Sequence, residues 1–107
     1  MEALNQLYAV IQARMGRTET VENSYTGYLF EQGLDKILKK VGEESAEVII
    51  AAKNDDPRAL VMELADLFYH VLVLMNQSGI SMEALEEELL RRREKTGNKK
   101  PGRQAEG

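Results

Sequence analysis

Residues 57–77 read PRALVMELADLFYHVLVLMNQ, and this stretch decides the fold. Leu60, Val61, Leu64, Phe68, Val71, Leu72, Val73, Leu74 and Met75 make a helix that is apolar on nearly every side, which marks an element buried by its neighbours. Its start is signalled by Asp56, a capping residue, followed by Pro57 at the first helical position, where the missing amide hydrogen costs nothing. Gly79 closes it. One narrow polar stripe runs through the apolar surface and carries Glu63, Asp66, His70 and Gln77. An ionised carboxylate in low-dielectric surroundings is costly unless it is paired, so Glu63 and Asp66 need a partner.

The preceding helix, expected from Leu34 to Lys53, supplies the other half of the pattern. At about 100° per residue, its apolar stripe is Leu34, Ile37, Leu38, Val41, Val48, Ile49 and Ala52, with Glu44 on the border and Glu47 just beyond. Glu44 with Glu47, and Glu63 with Asp66, are each three residues apart, so each pair lies on one helical face as a set of hard oxygen donors. Two like charges ~4 Å apart repel by roughly 4 kcal/mol at an effective dielectric of 20. Four gathered carboxylates therefore call for a divalent cation. The competing reading is that these glutamates are solvated, or pair with Lys39 or Lys40.

Working outward, Leu4, Leu7, Tyr8 and Ile11 have helical spacing and predict a first helix from about Glu2 to Arg14. A polar loop follows from Gly16 to Asn23. Asn23 or Ser24 caps a short helix that passes Phe30 and stops at Gly33. Asp35 is the candidate cap of the next helix, which ends near Asn54 and Asp55. Ser81 caps the last helix, with Ile80 and Leu85 spaced as a hydrophobic staple. That helix uses Met82, Leu85 and Leu89 and fades before Gly97, leaving residues 98–107 as an expected disordered tail. No segment has the pattern of a strand. The expectation is an all-α domain of four to five helices over residues 1–96, with a basic tail over 97–107.

A helix apolar on nearly every side cannot be covered by three neighbours of this size. Self-association into a homodimeric helical bundle is the remedy, with Ile50, Met62 and Tyr69 as candidates for the shared surface.

The 107 residues make a single domain, and 43% apolar with 30% charged residues is the composition of a soluble globular protein. No uninterrupted apolar run reaches the ~18 residues that span a bilayer, and no basic segment followed by an apolar one opens the chain, so neither membrane nor secretion is indicated. The absence of cysteine excludes disulfides and thiolate chemistry, and makes the cytoplasm the default compartment. Net charge is −4, unevenly spread: residues 91–107 hold seven Lys/Arg against two acids, residues 1–90 seven against sixteen. The basic end lacks interleaved aromatics, so it reads as a solvated helix terminus and not as a nucleic-acid surface.

Taken together, Ser24-Tyr25-Thr26, Leu29-Phe30, Gly33, Lys36-Ile37, Lys40-Val41-Gly42-Glu43-Glu44 with Glu47, Glu63 with Asp66-Leu67, Tyr69-His70 and Leu72-Val73-Leu74 resemble the phosphoribosyl-ATP pyrophosphohydrolases of histidine biosynthesis, over about residues 4 to 93. The two acidic motifs alone point only to the wider all-α nucleotide pyrophosphohydrolase superfamily. The serine-tyrosine-threonine entry and the tyrosine-histidine pair narrow it. The resemblance implies magnesium-dependent hydrolysis of the α,β-phosphoanhydride of a small-molecule nucleotide, phosphoribosyl-ATP, to phosphoribosyl-AMP and pyrophosphate in the cytoplasm. Some such proteins are fused to the cyclohydrolase that acts next; the expectation here is a chain without that domain. The basic tail lies outside the pattern.

That chemistry assigns candidate roles. Magnesium prefers oxygen ligands shared between a few carboxylates and substrate phosphates, so Glu44, Glu47, Glu63 and Asp66 are the expected metal ligands. Glu43 is a candidate for orienting or deprotonating the attacking water, although its angle also suits a surface role. Lys36 and Lys40, one turn apart on the edge leading to Glu44, are placed to meet phosphates. Arg14 and Ser24 are further substrate-binding candidates, with solvation and capping as their ordinary roles. His70, one turn after Asp66, is a substrate contact, ligand or general acid, or else a core histidine with satisfied hydrogen bonds. Di-iron bundles use Glu-x-x-His; neither acidic pair here has that form. The alternatives are a pyrophosphohydrolase of other nucleoside triphosphates, and a metal-free helical interaction module.

Overall fold

The computed structural model describes residues 1–16 and 24–98, with side chains described as far as Glu94. It is all-α: α1 (Glu2–Arg14), α2 (Tyr25–Gln32), α3 (Leu34–Lys53), α4 (Pro57–Gln77) and α5 (Met82–Asn98), with no strand among the described residues. The polar loop expected up to Asn23 and the tail beyond Asn98 lie largely outside the described residues. Helix α5 continues through Gly97, past the point where its apolar pattern fades.

The ends of the helices follow from local chemistry. The Ser24 hydroxyl accepts from the Gly27 amide (3.0 Å) and Asp56 Oδ1 accepts from the Ala59 amide (3.1 Å), each satisfying an orphan donor of a first turn. Ser81 does the same for Ala84 at α5 (3.0 Å). Helix α4 ends in a Schellman motif: the Ile80 amide donates to the Met75 carbonyl (2.8 Å) and the Gly79 amide to the Asn76 carbonyl (3.2 Å), with Gly79 at φ 72°, the left-handed turn that favours glycine. Asp35 is not the cap of α3. Gly33, in a positive-φ conformation at φ 95° and ψ −174°, takes that position and begins α3 one residue after α2 ends. Only a residue without a Cβ adopts that backbone easily, so the break between the two helices belongs to Gly33, and Asp35 falls inside the first turn.

Helices α3 and α4, joined by three residues, pack along each other as a helical hairpin, while α1 packs on α4 and α2 on α3. Along α3 the buried and half-buried residues include the series Ile37, Val41, Glu44, Val48 and Ala51, and along α4 the half-buried series Leu60, Leu64, Leu67, Val71 and Leu74 runs beside the fully buried His70, Leu72, Val73, Met75 and Asn76. Both series advance by alternating steps of four and three, the seam of two helices packed at a shallow angle. The expected α3 stripe was too broad. Leu34, Leu38 and Ile49 are exposed by 45%, 46% and 61%, and Ala52 is exposed too, while Ala51, which is not in that stripe, is buried. A single partner helix covers a narrow seam, so the residues beside it stay uncovered.

The core joins Ile11, Leu29, Ile37, Leu72, Val73 and Met75, with Leu4, Leu7, Tyr8, Phe30, Tyr69 and Met82 packed around it. It therefore sits under the C-terminal half of α4, and the N-terminal half is more open, with Val61 65% and Met62 59% exposed. Ile50 is likewise exposed, but Tyr69 is half-buried against the core. By length and mean hydropathy alone α4 is apolar enough to cross a bilayer, yet it carries Glu63 and Asp66 mid-length and packs against α1 and α3. Helix α5 is held at its start, where the Tyr8 hydroxyl donates to the Ile80 carbonyl (2.8 Å) and Met82 touches the core. Leu85, Leu89 and Leu90 remain exposed.

Candidate functional site

Glu44 lies half-buried on the α3–α4 seam, and on α4 the three-residue spacing of Glu63 and Asp66 puts both acids on one flank of that helix. Oxygen atoms from Glu44, Glu63 and Asp66 all lie within 4.8 Å of one another; Glu44 and Glu63 are half-buried and Asp66 is exposed. Burial pushes the Glu63 carboxyl above the ordinary glutamate range, and the neighbouring charges of Glu47, Asp66 and Glu44 push it further the same way. Among the described residues neither Glu63 nor Asp66 forms an ion pair. Three converging oxygens on a partly dehydrated seam, with no compensating cation on two of them, have the chemistry of a hard divalent ion site. Glu47, exposed and one turn beyond Glu44, lies outside this group of three, although its charge reaches Glu63.

Lys40 extends along the same flank. Its ammonium is 3.2 Å from Glu43 and 3.6 Å from Glu44. The hydrogen bond to Glu43 raises its pKa above the ordinary lysine value, against an opposing effect of burial. Glu43 is thus exposed and occupied with Lys40. One turn earlier, the Lys36 ammonium stands over the Tyr28 ring, 5.7 Å from its centroid.

On the other side of the acids, His70 is 4% exposed and both ring nitrogens are engaged. Nδ1 lies 2.8 Å from the Asp66 carbonyl, which can only accept, so Nδ1 carries the proton; Nε2, 2.9 Å from the Tyr25 hydroxyl, then accepts from it. His70 therefore ties α2 to the turn of α4 that carries Asp66, with no nitrogen left free for an ion. Tyr25 stacks against both Tyr28 and Tyr69, with centroids 6.1 Å apart in each case. Burial raises the Tyr25 pKa; Lys40 opposes this, and Tyr69, Glu44 and Tyr28 add to it, so the phenol lies within the field of the acid and lysine flank. Tyr69 and Thr26 share a hydroxyl–hydroxyl hydrogen bond, and burial raises the Tyr69 pKa. Arg14 donates to the Ser24 hydroxyl (3.0 Å), which also caps α2.

The structure thus brings Glu44, Glu63 and Asp66 together, with Glu47, Lys40 and Glu43 beside them. It places Lys36 at a distance along α3, His70 behind Asp66, and Arg14 with Ser24 at the α2 cap. Tyr25 and Tyr28 received no role from the sequence, and Tyr69 only that of a candidate for the shared surface. The signal available was the density of tyrosines around the α2 cap and beside His70, because helical periodicity alone reads them as ordinary packing residues.

A family model described as phosphoribosyl-ATP pyrophosphohydrolase matches residues 4–93. A protein called phosphoribosyl-ATP pyrophosphatase from Clostridium botulinum is 56% identical over 97 residues, covering 91% of this chain and 86% of that protein. One of the same description from Clostridium acetobutylicum is 53% identical over 102 residues, covering 95% and 91%. The histidine biosynthesis bifunctional protein HisIE of Oceanobacillus iheyensis is 50% identical over 101 residues, which are 94% of this chain and 46% of that longer protein.

Proposed function

The chain belongs to the phosphoribosyl-ATP pyrophosphohydrolase family, and from that premise we propose that it hydrolyses phosphoribosyl-ATP to phosphoribosyl-AMP and pyrophosphate in histidine biosynthesis, in the cytoplasm. The observation that carries the reading is the meeting of Glu44, Glu63 and Asp66 oxygens within 4.8 Å on a half-buried seam, in a chain whose residues 4–93 match that family.

Glu44, Glu63 and Asp66 would hold a magnesium ion, with Glu47 as a further candidate ligand beside them. Bound there, such an ion would neutralise polyphosphate charge and stabilise the leaving pyrophosphate. The remaining work belongs to side chains. A carboxylate oxygen of Glu47, beside Glu63 and open to solvent, takes the proton of the water that attacks the α,β-phosphoanhydride. Lys40 meets phosphate oxygens as a point charge, and Glu43 holds it in place until substrate arrives. The hydrogen bonds of His70 to the Asp66 carbonyl and to Tyr25 fix the turn that presents Asp66, a positioning role.

The functional unit is a homodimer. Leu34, Leu38 and Ile49 of α3 and Val61, Met62 and Phe68 of α4 leave an exposed apolar band of a kind that monomeric proteins seldom keep in contact with water. A second copy covers it.

A panel of phosphoribosyl-ATP, ATP, dATP and dUTP with pyrophosphate detection tests the substrate. Turnover of phosphoribosyl-ATP well above the others is expected. Equal or better turnover of a plain nucleoside triphosphate would replace the reading with a general nucleotide pyrophosphohydrolase.

A further inference from the structure

Phosphoribosyl-ATP differs from ATP in one respect: its purine carries a second ribose 5-phosphate. An enzyme that prefers it needs an anion clamp at the triphosphate, a surface for the purine, and a separate cation for the remote phosphate. The flank of α3 offers these three in order. The acids lie at Glu44, with Lys40 held between Glu43 and Glu44. Tyr25 is next, its phenol within the field of Lys40 and Glu44, and it stacks on Tyr28 with 27° between the ring planes. Both rings are open to solvent, 46% and 38% exposed. Lys36 stands over Tyr28, and among the described residues no carboxylate pairs with it. Lys36 and Glu44 are eight residues apart on one straight helix, about 12 Å along its axis, a separation that a purine with a ribose at each end bridges.

We propose that Tyr28, with Tyr25 beside it, stacks the purine, and that Lys36 binds the 5-phosphate of the second ribose, so that this corner selects phosphoribosyl-ATP over ATP. The inference rests on the proposed activity and deepens it. The chemistry is economical: every base offers a π-face to an aromatic ring, and a cation already resting on that ring has shed part of its hydration before the phosphate arrives. Lys36 and Tyr28 lie outside the core, so both can be changed without removing buried contacts.

The test uses the full chain in four variants. Lys36→Met keeps the apolar stem and loses the charge, and Lys36→Arg keeps the charge; Tyr28→Leu loses the ring, and Tyr28→Phe keeps it. Each is assayed for kcat and KM with phosphoribosyl-ATP, and for inhibition by phosphoribosyl-AMP and by AMP, which lacks the second phosphate. Losing one charge-assisted contact predicts a KM for Lys36→Met roughly tenfold higher, with kcat little changed. The same variant loses its preference for phosphoribosyl-AMP over AMP, and Lys36→Arg restores it. Tyr28→Leu weakens both inhibitors alike, by roughly fivefold or more, and Tyr28→Phe is close to the parent. An unchanged KM in Lys36→Met, or an equal loss toward both inhibitors, overturns the assignment of the second phosphate to Lys36. Parent enzyme that turns over no phosphoribosyl-ATP overturns the activity itself, and this inference with it.

Discussion

Adding magnesium to the metal-free protein should raise its thermal midpoint by an amount the carboxylate cluster sets. Glu44, Glu63 and Asp66 present oxygens within 4.8 Å of one another, and burial and mutual repulsion already hold Glu63 at a raised pKa. The folded state therefore concentrates negative charge that the unfolded chain disperses, and a dication binds the first and not the second. At a hundredfold excess over its dissociation constant, one ion per chain adds about 2.7 kcal/mol to the folded state. With an unfolding entropy of roughly 2.1 cal/mol/K per residue over 107 residues, this moves the midpoint by about 12 °C. Differential scanning calorimetry across a magnesium series, with sodium chloride matching the ionic strength, measures it. Glu63→Gln is the comparator: it should melt no lower than the parent without metal, since a like charge is gone. At the same magnesium concentration it should keep only about 2 °C of the shift if affinity falls about a hundredfold. A parent that gains nothing beyond the sodium chloride control, or a variant that gains as much as the parent, refutes the metal site.

Two further outcomes follow from the same geometry. Because the folded-state pKa of Glu63 is raised, chiefly by burial and then by Glu47, Asp66 and Glu44, its effect on metal-free stability is fully favourable below the ordinary glutamate pKa and is lost as pH rises through the folded value. Glu88 acts in the opposite sense, since hydrogen bonds from Arg91 and Arg92 lower it to about 2 and its contribution is lost as pH falls toward that value. Urea melts of parent and Glu63→Gln between about pH 4 and about pH 7 isolate Glu63 in their difference. The parent should lose stability relative to the variant as pH rises, and a constant difference would contradict the burial of Glu63. For the dimer, sedimentation equilibrium should give the parent twice its chain mass of 12.1 kDa, and Val61→Glu, in the exposed band at 65% exposure, should give a monomer with unchanged helical circular dichroism. A parent that sediments as a monomer at micromolar concentration removes the second copy from the site.

Most of the element boundaries could be read in the sequence because their causes are local. Asp56-Pro57, Ser24, Ser81 and Gly79 act through hydrogen bonds and backbone preferences that reach only three or four residues, and each acts at its expected end. Asp35 misled because capping preference was weighed without the positive-φ backbone that Gly33 adopts two residues earlier. The breadth of the α3 stripe misled for a different reason. Periodicity says which residues share a face, but only the width of the partner helix says how much of that face is covered, so Leu38 and Ile49 were counted in the apolar stripe while Ala51 was left out of it.

The sequence by itself determined that two helices each carry a pair of acids one turn apart, and that the second of these helices is too apolar to stand alone, because helical geometry converts spacing into faces without reference to the rest of the chain. Only the tertiary structure decided which acids meet. The 4-3-4-3 seam between α3 and α4 turns Glu44 toward Glu63 and Asp66 and leaves Glu43 with Lys40, and the packing of α2 against α3 and α4 brings Tyr25 to His70 and Tyr28 to Lys36. The meetings of Glu44 with Glu63 and Asp66, and of Tyr25 with His70, join residues far apart along the chain, and their distances come from how the helices pack, which no single helix encodes.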